Sequence, residues 1–241
     1  MANDHMVGMV QTVRGPIRPE QLGVTHTHEH ILSDASGLLT APEEASAKDL
    51  YFRRLSADTA GYIRHYADTV ANSDDMSNGD VSIAIEEVGL FKQYGGDSLV
   101  DATPIGLGRD PVALARVSRA TGVNIVMGAA YYVYKAHPPD MDSRSEDDLA
   151  DQIVRDVTEG VDGTGIKSGV IGEVGCSWPL RGNELKVLRA AGRAQRLTGA
   201  PILIHPGRNE KAPLHHLETL SQVGADLDHT IMGHIERALF T

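Results

Sequence analysis

The chain has 241 residues, of which 41% are hydrophobic, and a formal net charge of -11 at pH 7. This length is sufficient for one large α/β domain, and the acidic balance argues against binding to nucleic acid, which normally requires a basic surface. Cys176 is the only cysteine, so an intrachain disulfide is excluded, and no apolar run is long enough to span a bilayer. We therefore expect a cytoplasmic protein with neither nucleic acid nor a membrane as a partner.

Strand-like and helix-like segments alternate along the chain. Short apolar segments typical of strands begin near residues 22, 98, 124, 169, 201 and 230. Apolar residues at helical spacing lie between them, over residues 81–94, 111–120, 145–159, 183–198 and 212–223. The interval 34–79 is longer, and we interpret it as an insertion after the first strand, helical over about residues 47–70, within one domain that spans residues 1–241.

The strands are apolar throughout, which is typical of a parallel sheet covered by helices on both faces. A repeat of about 30 residues fits the βα units of a (β/α)8 TIM barrel and also those of a doubly wound sheet. The glycine-rich segment at 106–109 does not have the spacing of a dinucleotide-binding loop. The residue pattern therefore predicts an α/β fold and leaves both architectures open.

Histidines alternate with other residues at the end of the first predicted strand. Residues two apart on a strand point to the same face, so His28 and His30 would present two imidazoles side by side. Imidazole is a common metal ligand, and such a pair forms half of a site for a divalent ion. His26 lies one level deeper, where we expect a packed or supporting residue. A solvated histidine run is the alternative interpretation.

Further metal-binding residue types lie at the ends of three other predicted strands. Glu173 lies within a glycine-rich apolar strand, where a buried carboxylate needs a compensating charge. His205 and His234 end the next two strands, although His205 could also serve only to cap its strand. In a barrel these ends meet at one face, which is where active sites are built. One carboxylate and four imidazoles are the composition of a two-metal hydrolase site.

Five segments of the chain resemble the phosphotriesterase family of the amidohydrolase superfamily, in its phosphotriesterase-related branch. They are VQTVRGPIRPEQLGVTHTHEH, VDATPIGLGRD, IKSGVIGEVGCSWPL, LIHPGR and MGHIER. The resemblance implies a (β/α)8 barrel with two divalent metal ions, commonly zinc. By position in these motifs, His28 and His30 would bind the more buried ion, His205 and His234 the more exposed one, and Glu173 would bridge both.

The resemblance also implies an activity. A family member of this type would use a metal-bridging hydroxide to hydrolyse a small amide, such as an N-acyl amino acid or N-acetyltaurine, or an ester. Hydrolysis of phosphotriesters or lactones is the alternative. Arg208 is a candidate for binding an anionic substrate group, with a surface ion pair as the other interpretation. Tyr131 is a second candidate for the substrate pocket, and packing is the alternative role for one of the adjacent tyrosines 131 and 132.

The sequence ends at Thr241, shortly after the sixth predicted strand. The resemblance therefore implies that about six of the eight βα units are present and that the family's proton-accepting aspartate lies beyond Thr241. On this basis we expect weak or absent hydrolysis from these residues alone. The alternative is a short, non-catalytic metal-binding or interaction variant, and unpaired strand edges leave a homo-oligomer open as a further prediction.

Overall fold

The structure is a computed structural model and describes residues 8–65 and 72–239. In these residues the strands are β1 (Val10–Thr12), β2 (Gly15–Ile17), β3 (Thr25–Glu29), β4 (Ser33–Asp34), β5 (Ser77–Asn78), β6 (Ser98–Asp101), β7 (Asn124–Ala129), β8 (Val170–Gly175), β9 (Ile202–His205) and β10 (Thr230–Met232). The helices are α1 (Ala45–Phe52), α2 (Ala57–His65), α3 (Val81–Gln93), α4 (Pro111–Thr121), α5 (Glu146–Thr158), α6 (Gly182–Thr198), α7 (Ala212–Gln222) and α8 (Ile235–Leu239).

Six strands form one parallel sheet in the order β10-β9-β8-β7-β6-β3. Each successive strand is added on the same side of the one before it. A doubly wound sheet would instead reverse direction at a switch point, so that alternative is excluded for these strands. The sheet is curled into a half-barrel, as expected for a fold of the TIM-barrel type. Two short antiparallel pairs, β1 with β2 and β4 with β5, lie outside it.

The helix boundaries follow from capping residues. The carboxylate of Asp110 accepts a hydrogen bond from the backbone N–H of Ala113 and starts α4. Ser145 and Asp148 form a reciprocal capping box at the start of α5. Gly122 and Gly199 end α4 and α6 in the left-handed conformation, which glycine adopts without steric cost. These boundaries confirm the predicted helices.

The core lies mainly between the outer face of the sheet and its helices. One cluster joins the strands β7, β8 and β9 to α5 and α6 and includes Ile171, Ile204 and Leu188, which are fully buried. On the opposite face of the sheet, Val126, Val170 and Leu203 form a smaller cluster. Burial on both faces explains why these strands are apolar throughout.

The start of the first sheet strand differs from the prediction. The apolar run at 22–24 precedes β3, and Val24 is 64% exposed. Gly23 has a φ of 58°, which turns the chain before the strand begins. The strand is therefore formed by the histidine-rich segment itself, and this segment lies at an edge of the sheet.

The interval 34–79 contains α1 and α2 as well as β5. The last part of its predicted helical stretch, residues 66–70, lies outside the described residues. Among the residues that are described, no helix has the length and apolar character required to cross a membrane.

Candidate metal centre

Glu173 lies at the centre of the site and is fully buried in β8. Its backbone N–H donates to the carbonyl of Ala102, 3.0 Å away, which ties β8 to the end of β6. The residue before it, Gly172, has a φ of 141°, and a side chain at that position would collide with the carbonyl of Leu203. Glycine at this position therefore allows β8 and β9 to approach closely and directs the carboxylate into the half-barrel.

Four imidazole nitrogens surround the Glu173 carboxylate. Nε2 of His30 lies 3.2 Å from Oε1. The other three face Oε2: His28 Nε2 at 3.2 Å, His205 Nδ1 at 2.9 Å and His234 Nε2 at 3.4 Å. The structure therefore brings together all five residues that the sequence suggested as metal ligands.

These five side chains come from four strands of the half-barrel. His28 lies in β3, His30 directly follows that strand, and His205 ends β9. His234 follows β10 with a φ of 50°, a conformation that is uncommon for residues other than glycine and occurs often at functional sites. All of them lie at the carboxyl ends of parallel strands, which is the face where barrel enzymes place their chemistry.

The donor atoms fit a divalent metal centre. Within the described part of the chain, Nε2 of His28 and Oε1 of Glu173 are buried and lack a hydrogen-bond partner. Buried polar atoms of this kind normally have a partner, and a cation would supply it. Ligand atoms of His28, Glu173 and His234 all lie within 4.8 Å of one another. Two donors at about 2.1 Å from one tetrahedral ion are separated by roughly 3.4 Å, which agrees with the contacts around Glu173.

The electrostatics of the site favour an ionised carboxylate. Burial alone would raise the pKa of Glu173, but the four imidazoles around its carboxylate lower it well below its usual range. Burial lowers the pKa of His205 despite the neighbouring carboxylate. An anionic glutamate together with neutral imidazole is the state in which both residue types bind metal.

His30 is held in place by residues that the sequence analysis did not single out. The hydroxyl of Thr103 lies 3.0 Å from Nδ1 of His30. The buried carboxylate of Asp101 accepts hydrogen bonds from the backbone N–H groups of Ile31 and Thr103, and burial raises the pKa of Asp101 to about 6. Asp101 ends β6 and Thr103 follows it in the VDATP motif, but nothing in their spacing indicates that they support the segment around His30.

The structure corrects the expectation for Tyr131. This residue is fully buried, and its hydroxyl accepts a hydrogen bond from Arg144, so it faces away from the site. The next residue, Tyr132, lies at the site instead, with its hydroxyl 3.3 Å from Nδ1 of His205. Ala130 has a φ of 75°, which interrupts the alternation of side chains just before the tyrosines and explains the difference.

His26 also differs from the expectation of a packed or supporting residue. Its side chain is 54% exposed and lies 3.4 Å from the carboxylate of Glu29. The strand that carries it, β3, is at the edge of the sheet and pairs with β6 alone among the described strands. Within residues 8–65 and 72–239, no second strand lies beside β3, and the side chain of His26 is left exposed.

Two arginines lie at the rim of the site. Arg208, expected to bind substrate, follows the β9 strand and is exposed. Arg237, which the sequence analysis did not select, lies in α8 with a guanidinium nitrogen 3.3 Å from Nε2 of His205. Burial and the Glu173 charge raise the pKa of Tyr132, and the positive charges of both arginines oppose this shift. Both guanidinium groups therefore contribute positive potential near the hydroxyl of Tyr132.

Comparison with known proteins agrees with this geometry. The model of the Phosphotriesterase family matches residues 8–239. The chain belongs to the phosphotriesterase family. The N-acetyltaurine hydrolase of Xenopus tropicalis is 40% identical over 234 residues, which cover 97% of this chain and 66% of that protein.

Solved structures of the family have the same fold. A resiniferatoxin-binding protein from Rhodobacter sphaeroides is 38% identical with a TM-score of 0.89, and the match covers 95% of this chain and 64% of that one. A lactonase from Listeria monocytogenes is 26% identical with a TM-score of 0.74, over 95% of this chain and 66% of that one. The chain thus spans about two thirds of the length of these relatives.

Proposed function

We propose that the protein is a metal-dependent hydrolase that acts on a small amide. The observation that carries this proposal is the contact of one buried carboxylate with four imidazole nitrogens, at 2.9–3.4 Å. Such a donor set is too polar to serve only as packing, because burying it without a cation leaves ligand atoms unpartnered.

We assign the ligands by their positions in the family motifs, because three of the four imidazoles face the same oxygen of Glu173 and the contacts alone do not divide them into two pairs. His28 and His30 would hold one divalent ion, His205 and His234 would hold the second, and Glu173 would contact both. Such ions, when bound, supply Lewis acidity and lower the pKa of water enough to provide a nucleophile near neutral pH. Zinc suits a set of nitrogen and oxygen donors with this spacing.

The remaining residues of the site position these ligands and shape the mouth. Thr103 fixes the ring of His30 through Nδ1 so that Nε2 faces Glu173. Tyr132 packs edge-on against the ring of His205, with the ring centroids 5.0 Å apart, and presents its hydroxyl beside that ligand. A substrate carbonyl that approaches His205 would therefore meet this hydroxyl as a hydrogen-bond donor.

The relatives guide the choice of substrate class. Several similar proteins, including those of Xenopus tropicalis and Dictyostelium discoideum, are named N-acetyltaurine hydrolase, with 40% and 37% identity to this chain. This favours an N-acyl amine with an anionic end. Lactone hydrolysis is the second candidate, because the Listeria monocytogenes neighbour with the same fold is a lactonase.

A metal analysis combined with a substrate panel tests the proposal. The purified chain is analysed for zinc, manganese, iron and cobalt by mass spectrometry and then assayed with N-acetyltaurine, a γ-lactone and a phosphotriester. We expect two divalent ions per chain and weak turnover whose kcat/KM is highest for N-acetyltaurine, with loss on chelation and recovery on adding zinc. A chain without divalent metal would contradict the proposal, and a metal-loaded chain that turns over none of the three would favour the non-catalytic alternative.

A further inference from the structure

Arg237 lies beside the candidate ligand His205, and one nitrogen of its guanidinium has no hydrogen-bond partner among the described residues. It is half-buried, and one nitrogen of its guanidinium lies 3.3 Å from Nε2 of His205. Its Nε is buried and has no hydrogen-bond partner within the described part of the chain. A guanidinium offers five donors in a rigid fork, and the buried Nε donor of this one is left unpaired among those residues.

Arg237 differs from most other half-buried arginines in having no acidic partner among the described residues. Asp and Glu exceed Lys and Arg by 33 to 22, yet neither Arg237 nor Arg208 pairs with a carboxylate in residues 8–65 and 72–239. Arg109 and Arg193, which are also at least half-buried, do form such pairs, whereas most exposed arginines in the same ranges do not. A half-buried cation without a counter-charge is costly, so an anion from outside the protein is the natural partner at this rim.

Arg237 would lose its hydrogen bond to His205 when metal ions are bound at the site. His205 faces Glu173 through Nδ1, at 2.9 Å. When Nδ1 serves as a ligand, the ring proton lies on Nε2, and this nitrogen can then no longer accept a hydrogen bond from Arg237. The guanidinium is thereby released beside the centre, close to the hydroxyl of Tyr132.

We propose that Arg237 is a specificity-determining residue, which binds the terminal anion of the substrate while the acyl group lies at the metal centre. This inference rests on the proposed function. The planar fork of arginine matches the oxygens of a sulfonate or a carboxylate, and the bond is charge-assisted. Arg208 is exposed and adds positive potential at the rim without a fixed contact.

Direct binding tests the role of Arg237 without requiring turnover. Ethanesulfonate and propionate are titrated into the metal-loaded chain by ligand-observed NMR, for the wild type, Arg237→Met and Arg237→Lys. Arg116→Met, in an exposed position of α4, is the matched control for loss of one charge. We expect Arg237→Met to weaken anion binding at least tenfold, Arg237→Lys to have an intermediate effect, and the control to bind as the wild type does.

Steady-state kinetics with an anionic and a neutral amide show whether Arg237→Met impairs recognition of the anion or the whole site. N-acetyltaurine is compared with N-acetylethanolamine, in which a hydroxyl replaces the sulfonate. Arg237→Met should raise KM for the anionic substrate and reduce its kcat/KM at least tenfold, while kcat/KM for the neutral one changes less than threefold. Metal content is measured in each variant.

Three results would overturn the role of Arg237. They are unchanged anion binding in Arg237→Met, an equal loss for both substrates, and a charge-retaining Arg237→Lys that behaves as Arg237→Met in the binding assay. If the wild type binds ethanesulfonate through Arg237 but cleaves neither amide, the proposed function fails while the anion site stands. If the wild type cleaves both amides and the rates do not depend on Arg237, the proposed function stands while the role of Arg237 fails.

Discussion

The hydroxyl of Thr103 lies 3.0 Å from Nδ1 of His30, and Nε2 of the same ring lies 3.2 Å from Glu173. The threonine thus holds the outer nitrogen of the imidazole while the inner one faces the candidate metal centre. Partners of this kind orient a ligand and fix its tautomer, and their removal commonly weakens metal affinity by about 10–100-fold.

We predict that Thr103→Val weakens metal binding by at least about tenfold, because valine keeps the shape of threonine but lacks the hydroxyl. Competition with a chelator of known affinity measures the change. Thr103→Ser is the matched control, since it keeps the hydroxyl and should retain most of the affinity. Equal affinity in Thr103→Val and the wild type would show that the hydroxyl has no role in positioning His30.

Glu173→Gln tests the central carboxylate. The neutral amide has nearly the same volume, but it cannot balance the charge of cations and offers one oxygen in place of two. We expect most of the bound metal to be lost after dialysis, as measured by elemental mass spectrometry. Glu86→Gln, at an exposed position of α3, removes the same charge away from the site and should leave the metal content unchanged. Full occupancy in Glu173→Gln would refute the bridging assignment.

A buried ion pair supports the fold behind the site. Arg109 donates to Asp156 at 2.8 Å and to the carbonyl of Gly128 at 3.1 Å, and both charged side chains are almost fully buried. Removing one partner leaves a buried charge unpaired, which costs about 3–5 kcal/mol. We therefore predict a loss of this size in the free energy of unfolding for Arg109→Met, measured in urea.

The double variant Arg109→Met/Asp156→Leu separates the unpaired charge from lost packing. Because it removes both charges, its free energy of unfolding should lie closer to that of the wild type than that of Arg109→Met does. A double variant as unstable as the sum of the two single variants would mean that the charges are not coupled.

His216 should make the stability of the protein dependent on pH. It is fully buried in α7, both ring nitrogens lack a hydrogen-bond partner among the described residues, and burial lowers its pKa from 6.5 to about 4. The unfolded chain therefore takes up a proton near pH 6.5, whereas the folded chain does so only near pH 4. The free energy of unfolding falls as the pH drops through this window, by about 3 kcal/mol in total.

We predict that His216→Leu removes this contribution. On lowering the pH from 7.5 to 4.5, the free energy of unfolding should therefore fall less for His216→Leu than for the wild type, as measured by urea unfolding at both pH values. His215→Leu, at the exposed neighbouring position, removes a positive charge that also lowers the pKa of His216, so this variant should weaken the pH dependence without abolishing it. A parallel pH profile for His216→Leu and the wild type would contradict the assignment.

The sequence predicts the sheet and the ligand set because both depend on local patterns. The apolar strands, the capping residues and the position of His205 at a strand end can each be read from a few neighbouring residues. Parallel strands then bring their carboxyl ends to one face, so the convergence of Glu173 with the histidines follows from topology.

The contacts that the sequence did not reveal depend on departures from regular geometry. Alternation along β7 cannot distinguish Tyr131 from Tyr132, because the positive φ of Ala130 breaks it. The contact between Thr103 and His30 joins residues 73 positions apart, and the spacing of neither motif encodes it. The environment of Arg237 likewise depends on the fold, because its buried Nε has no partner within residues 8–65 and 72–239 and no sequence pattern encodes this.

His28 and His234 come from the two outermost strands of the parallel sheet, yet their rings lie 4.7 Å apart. Metal ions bound between these two histidines would cross-link the edge strands of the half-barrel. Removal of the ions should therefore let the two edge strands separate, and this would be measured as faster amide hydrogen exchange in β3 and β10.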